Sequence, residues 1–316
     1  MKHLLWILVG VCLCALSIAA QQPAPTGGDR SWAFPVLPQG FRPATEPPEP
    51  KSIPGSAKSY TPPQIDDLLN PPDWFPDEHP PAPAIVQKGH GGVLACGACH
   101  LMSGEGHPES AGLTGFTAEY IMRQMADFKS GARKDAARMN AIAKDMTDEE
   151  SRQASEWFAS LKPRAWTRVI EAAMAPKTVV GQGRMRFVDP AGGMEPIGNR
   201  IITVPQEEER ARRRDPHSGF TAYVPVGSIA KGRALAESGG SGKTIACSIC
   251  HGDALKGLGN VPRLAGLHPI YIARQLYLFK DGTRNGVDGQ LMKKPIARLD
   301  DQDIVALAAY LASLAP

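Results

Sequence analysis

The pentapeptide Cys-x-x-Cys-His occurs twice in this chain, as Cys96-Gly97-Ala98-Cys99-His100 and as Cys247-Ser248-Ile249-Cys250-His251. The two copies belong to an internal repeat. Tyr120-Ile121-Met122-Arg123-Gln124-Met125 matches Tyr271-Ile272-Ala273-Arg274-Gln275-Leu276 at an offset of 151 residues, the offset that also separates His100 from His251. Phe128-Lys129-Ser130-Gly131 then matches Phe279-Lys280-Asp281-Gly282; beyond it the second copy gains two residues, and Met139 falls opposite Met292. Self-similarity of this kind means one structural unit used twice, and it fixes the architecture before any single helix is considered.

Cys-x-x-Cys-His is the attachment signature of c-type haem. One helical turn carries both sulfurs to the vinyl groups of a single porphyrin and sets the histidine under the iron. Cys96, Cys99, Cys247 and Cys250 are therefore candidate attachment residues, and His100 and His251 candidate iron ligands. Two other chemistries use such cysteines. A redox-active dithiol expects a βαβ setting and gives the histidine no role. A zinc site would need the two pairs, about 150 residues apart, to converge.

Met1-Lys2-His3 and the uncharged run from Leu4 to Ala20 read as a secretory signal, with a cleavage site after Ile18-Ala19-Ala20 that removes Cys12 and Cys14. An uncleaved anchor is the alternative, since about 17 apolar residues is the lower limit for spanning a bilayer. Either way the body is exported, which places it in the periplasm. Membrane association is expected only through this segment or a partner. A net charge of +3 and the lack of a basic tract interleaved with aromatics argue against nucleic acid as a partner.

Residues 21–83 form a proline-rich arm that excludes long helices and central strands. Thr61 can cap a short helix through Leu69, and Trp32, Phe34, Trp74 and Phe75 call for burial, so the arm is expected to lie over the first haem segment. That segment spans 84–162 and the second 227–316. Each closes on an amphipathic helix, capped by Thr147 with Glu150 in the first and by Asp300 in the second. The insert 163–226 is too long for an ordinary loop. Val179-Val180, Met185 to Val188 and Ile201 to Val204 could form a small hairpin there, and Glu207 to Arg214 reads as a solvated helical turn. Arg212-Arg213-Arg214 is a candidate partner-docking run. Gly239-Gly240-Ser241-Gly242-Lys243-Thr244 lacks the first glycine of a phosphate loop and reads as a turn.

Met139 lies 39 residues after His100 and Met292 lies 41 after His251, each expected in a loop before the terminal helix. Methionines matched across two such repeats are candidate axial ligands. Thioether ligation raises the reduction potential of the iron and fills its coordination sphere, which suits electron transfer and opposes oxygen chemistry. Met146, His90 and His107 are rival ligands in the first repeat. Tyr120, Arg123, Tyr271 and Arg274 could touch haem or its propionates. Lys293, Lys294 and Arg138 could steer an acidic partner or serve solubility.

On the pentapeptides and the methionine positions, both repeats resemble class I c-type cytochromes, and together they resemble a two-domain dihaem cytochrome c of the exported bacterial kind. The resemblance covers about half the chain. It implies an all-α fold with two tandem cytochrome c domains, flanked by the arm and an insert that could contain a β-hairpin. It also implies two covalently attached haem c groups, and single-electron transfer to protein redox partners such as a dehydrogenase, an oxidase or another cytochrome. In that family the carbonyl of a proline-containing loop orients the haem histidine. Val261-Pro262-Arg263-Leu264-Ala265-Gly266 looks like that loop, whereas Ala111 stands where Pro262 stands and the helix before Cys96 is short. These departures keep open a peroxidase-like haem enzyme with an open iron in the first domain; the long arm and insert, as docking surfaces, keep open the haem subunit of a periplasmic dehydrogenase complex.

Overall fold

The computed structural model describes residues 29–43, 45–135 and 137–316. The expected signal segment, with Cys12 and Cys14, lies outside the described residues. Among its described residues the arm carries one short α-helix, α1 (Pro62–Ile65), and a 3-10 turn at Pro76–Glu78. The first repeat contains α2 (Ala84–Gln87), α3 (Gly97–His100), α4 (Ala118–Ser130), α5 (Met139–Asp145) and α6 (Asp148–Ser160). The insert follows with β1 (Thr167–Glu171), β2 (Met174–Pro176), β3 (Thr178–Val180), β4 (Arg186–Val188), β5 (Met194–Pro196), β6 (Ile202–Pro205), α7 (Glu208–Arg212) and β7 (Phe220–Val224). The second repeat holds α8 (Ser228–Ser238), α9 (Ser248–His251), α10 (Pro269–Lys280), α11 (Gln290–Ile296) and α12 (Asp301–Ser313).

The closing helices begin where their caps place them. The Thr147 hydroxyl accepts from Glu150 N at 3.2 Å, and the Glu150 carboxylate accepts from Thr147 N at 2.9 Å. Asp300 and Asp303 form the same reciprocal pair at 2.9 and 3.1 Å. Residues Ile304 to Ala312 of α12 are then buried without interruption, because α12 packs on α8 and α10 and also meets β1. The α8 crossing is backbone-close: a Cβ on Gly232 would stand 2.0 Å from Ala306 O. In the first repeat α2 is a single turn, and α6 packs on α4 instead.

The all-α expectation is corrected by the insert, which forms three small sheets. One is a true hairpin, β3 pairing antiparallel with β4. Ile201 to Val204 is not part of it, because β6 pairs antiparallel with β7, which pairs in parallel with β1 to give the order β1-β7-β6. β2 pairs with β5.

Three further expectations change. The helix capped by Thr61 stops at Ile65, because the Asp67 carboxylate turns the chain by accepting from Leu69 N at 2.8 Å, ahead of Pro71-Pro72. The arm covers both repeats rather than the first alone. Trp32 and Phe34 meet Tyr277 of α10 with ring centroids 6.3 Å apart, and Ala33 O accepts from Arg274 Nε at 2.8 Å. Farther on, Trp74 is buried and donates to Arg213 O at 2.8 Å, and Pro80 O accepts from Trp157 Nε1 at 3.0 Å. The charge run is likewise not merely solvated: Arg212 covers the Phe187 ring at 4.1 Å, and Arg214 donates to Ala98 O in α3. The arginines that offered a candidate docking run bind this chain instead. Among the described residues no helix is long and apolar enough to cross a membrane.

Candidate haem sites

Each pentapeptide closes one helical turn. His100 N donates to Cys96 O at 3.0 Å and His251 N to Cys247 O at 2.9 Å, which stacks each histidine over its first cysteine. The imidazoles are held from behind in the same way. His100 Nδ1 is 2.7 Å from Ala111 O, and His251 Nδ1 is 2.8 Å from Pro262 O. A carbonyl only accepts, so each Nδ1 carries the proton and each Nε2 keeps its lone pair for a metal. Burial lowers the pKa of both rings and keeps them neutral. Ala111 thus does the work of Pro262: the contact needs a carbonyl, not a proline ring.

The four cysteines are unpaired. Burial pushes the Cys96 thiol up to about 12 and the Cys247 thiol to about 11, and it raises Cys99 as well. A redox dithiol needs a depressed thiol pKa, so this environment opposes that chemistry. Among the described residues no three His, Cys, Asp or Glu side chains converge as a metal site, and the two pairs do not meet as zinc ligands.

Met139 and Met292 are half-buried and pack against the same core as Cys96 and Cys247. Both sit in helices, not in the expected loops: Met139 opens α5 and Met292 lies in α11. The reason for α5 is local, since the Asp135 carboxylate accepts from the backbone N–H of Ala137, Arg138 and Met139 at 3.0, 2.6 and 3.0 Å. Met146 is fully buried like its counterpart Leu299 and fills core. His90 is exposed, with Nε2 2.5 Å from Glu150 Oε1, and His107 Nδ1 accepts from Glu109 N at 3.3 Å.

Between the repeats lies a buried cluster related by the 151-residue offset. Gln124 Oε1 accepts from Arg133 Nη1 and Arg284 Nη2, both at 2.8 Å. Gln275 Oε1 accepts from Arg133 Nη2 at 2.9 Å and Arg284 Nη1 at 3.0 Å. Arg284 also donates to the Tyr120 hydroxyl at 2.9 Å and Arg133 approaches that of Tyr271 at 3.5 Å. Each guanidinium lies over a phenylalanine of its own repeat at 4.4 Å, Phe128 or Phe279. Of the four residues expected near haem, Tyr120 and Tyr271 enter this cluster. Arg123 pairs instead with Glu119 and Asp288 at the surface, and Arg274 with Glu109.

A cytochrome c family model matches residues 229–315, covering α8 through α12. The cytochrome c4 of Pseudomonas aeruginosa is 26% identical over 230 residues, covering 72% of this chain and 87% of its own length. A thiosulfate dehydrogenase electron acceptor of Thiomonas intermedia is 28% identical over 238 residues, covering 73% of this chain and 84% of its own. The second repeat is a cytochrome c domain, and over most of its length the chain is similar to dihaem cytochromes c4. The solved cytochrome c4 of Acidithiobacillus ferrooxidans superposes with a TM-score of 0.48 at 23% identity, over 69% of this chain and 98% of its own.

The cytochrome takes two covalent haem c groups, and its residues fit them. Two turns present paired thiols and a histidine with a free Nε2. The interface cluster adds an argument from charge. Arg133 and Arg284 are each 7% exposed, and the groups they hydrogen-bond there, two amides and two phenols, are neutral. The Asp127 carboxylate attracts both guanidiniums, so one of the two buried positive charges is left for a haem carboxylate to balance. Sequence reasoning ended the repeat at Gly131 and Gly282 and so missed both arginines. The constant offset, followed two residues further, reaches them.

Proposed function

We propose that this cytochrome is an exported, periplasmic carrier that passes single electrons between protein partners and performs no substrate chemistry of its own. Cys96 and Cys99 attach one haem and Cys247 and Cys250 the other. His100 and Met139 would hold one iron, and His251 and Met292 the other. Bound haem supplies a one-electron iron couple. The chain orients each histidine through Ala111 O and Pro262 O, would offer the iron a thioether from Met139 or Met292, and keeps water out with the apolar walls of α6 and α12. Arg133 and Arg284 would neutralise haem carboxylates where the repeats meet, which would make that interface the internal path for charge.

The observation that carries this reading is the matched pair of histidine-to-carbonyl contacts, because the first repeat departs from the usual sequence at Ala111 yet keeps the contact. A relative named as the electron acceptor of a thiosulfate dehydrogenase supports a redox enzyme among the partners. An anaerobic potentiometric titration tests the proposal: two electrons per chain, taken up and returned reversibly, with no turnover of added peroxide. One electron per chain, or steady peroxide consumption, overturns it.

A further inference from the structure

The two repeats treat their attachment turns differently. In the second, Ile249 between the cysteines is 65% exposed, Leu258 60% and Ile245 47%, and Cys250 itself is exposed. At the positions 151 residues earlier, Ala98 is 1% exposed, and Cys99, His107 and Leu94 are all partly covered. A repeat that places the same turn in the same fold should expose it equally, so the cover comes from elsewhere.

It comes from the two segments that the second turn lacks. Arg214, just after α7 of the insert, donates to Ala98 O inside the first pentapeptide. From the arm, Leu68 O accepts from Ala95 N at 3.1 Å and Leu69 O from Gly89 N at 2.7 Å. Pro71 Cγ lies 3.5 Å from where a Cβ on Gly97 would stand. Trp74 then ties arm to insert through Arg213 O. Electron tunnelling weakens steeply with distance, so a layer of protein over a haem edge closes it to external exchange.

We propose that redox partners dock at the second attachment turn alone, and that the first haem exchanges electrons with the outside through the second. The proposal rests on the carrier reading above. The open turn selects a small redox protein with an apolar patch edged by carboxylates. Ile245, Ile249 and Leu258 supply the apolar surface, and Val287 and Leu291 are exposed on the methionine side. Lys293 and Lys294, directly after Met292, are exposed and form no salt bridge among the described residues. Of the nearby acids, Asp300 pairs with Lys243 and Asp288 with Arg123, and the exposed Asp253 beside the turn is offset by the exposed Lys256. The balance left for a partner is positive. Each exchange moves one electron between iron and the partner's metal, with no proton or atom transferred.

The test is stopped-flow oxidation of the ferrous, fully haem-loaded protein by oxidised plastocyanin, an acidic blue-copper protein. Ile249→Glu and Lys293→Glu should each lower the second-order rate constant about tenfold at low salt. Lys144→Glu, on α5 beside the first site, should change it less than about twofold. Equal slowing by Lys144→Glu and Lys293→Glu, or unchanged rates in both second-repeat variants, overturns the single port. Ferricyanide serves as the control: it should withdraw two electrons from every variant. Failure there would contradict the carrier reading, not the port.

Discussion

Arg133 and Arg284, 151 residues apart in sequence, meet in an antiparallel bridge and lie buried together across the interface of the two repeats. Their neighbours donate and accept in matching pairs: Lys134 N to Thr283 O at 2.8 Å and Asn285 N to Ala132 O at 2.7 Å. An approximate twofold axis therefore passes between the guanidiniums. Two like charges at such a place need anions to balance them; Asp127 attracts both guanidiniums, and one positive charge remains for the carrier's haem carboxylates to meet.

Arg284→Gln should lower the reduction potential of the haem it faces, because a lost positive charge favours ferric iron. With an effective dielectric constant of about 20, the interaction is about 1 kcal/mol, or on the order of 40 mV for one electron. A potentiometric titration of the variant against wild type measures it. An unchanged or raised potential would place the guanidinium away from the haem carboxylates.

Met139→Ala and Met146→Ala separate ligand from core. The first should create one site for carbon monoxide per chain with little loss of stability. The second should cost about 2–4 kcal/mol in denaturant unfolding, since Met146 is 4% exposed, and should create no such site. The reverse pattern would exchange their roles.

Gly232→Ala should destabilise the second repeat by roughly 3 kcal/mol, because α8 and α12 cannot separate without losing their shared core. The added methyl group would stand 2.0 Å from Ala306 O. Guanidinium titration of the purified cytochrome reads the change, and a neutral result would mean that the helices cross less closely.

His268 provides a pH test. It is 3% exposed, bonded through Nδ1 to the Thr167 hydroxyl at 3.0 Å and through Nε2 to Glu105 O at 3.2 Å, and burial lowers its pKa to about 4. The folded protein thus holds the neutral ring, while the unfolded chain protonates near 6.5. The stability from this group is complete above pH 6.5 and is lost as pH falls toward 4, by on the order of 3 kcal/mol. His268→Gln should flatten the difference between unfolding at pH 7 and pH 5 relative to wild type.

The haem-bearing parts of the fold were legible because their signals are local. One turn sets two cysteines and a histidine, and Thr147 and Asp300 announce the closing helices through residues three positions away. The insert was not legible in the same way. Thr167 pairs with Phe220, and nothing near Thr167 marks a parallel partner so distant in sequence. Arg214 read as surface charge because its acceptor, Ala98 O, is a backbone atom more than a hundred residues earlier. The role of Ala111 was obscured for the opposite reason: a side-chain difference drew attention to a position where the main chain acts.

In the proposed carrier both irons are held by histidine and methionine, with no open coordination position. A visible spectrum of the ferrous protein before and after carbon monoxide, with haem quantified per chain, tests it directly. Two covalent haems and an unchanged spectrum are expected. A shift in one haem would reveal an open iron and contradict the carrier, and fewer than two haems would contradict the repeat on which the account is built.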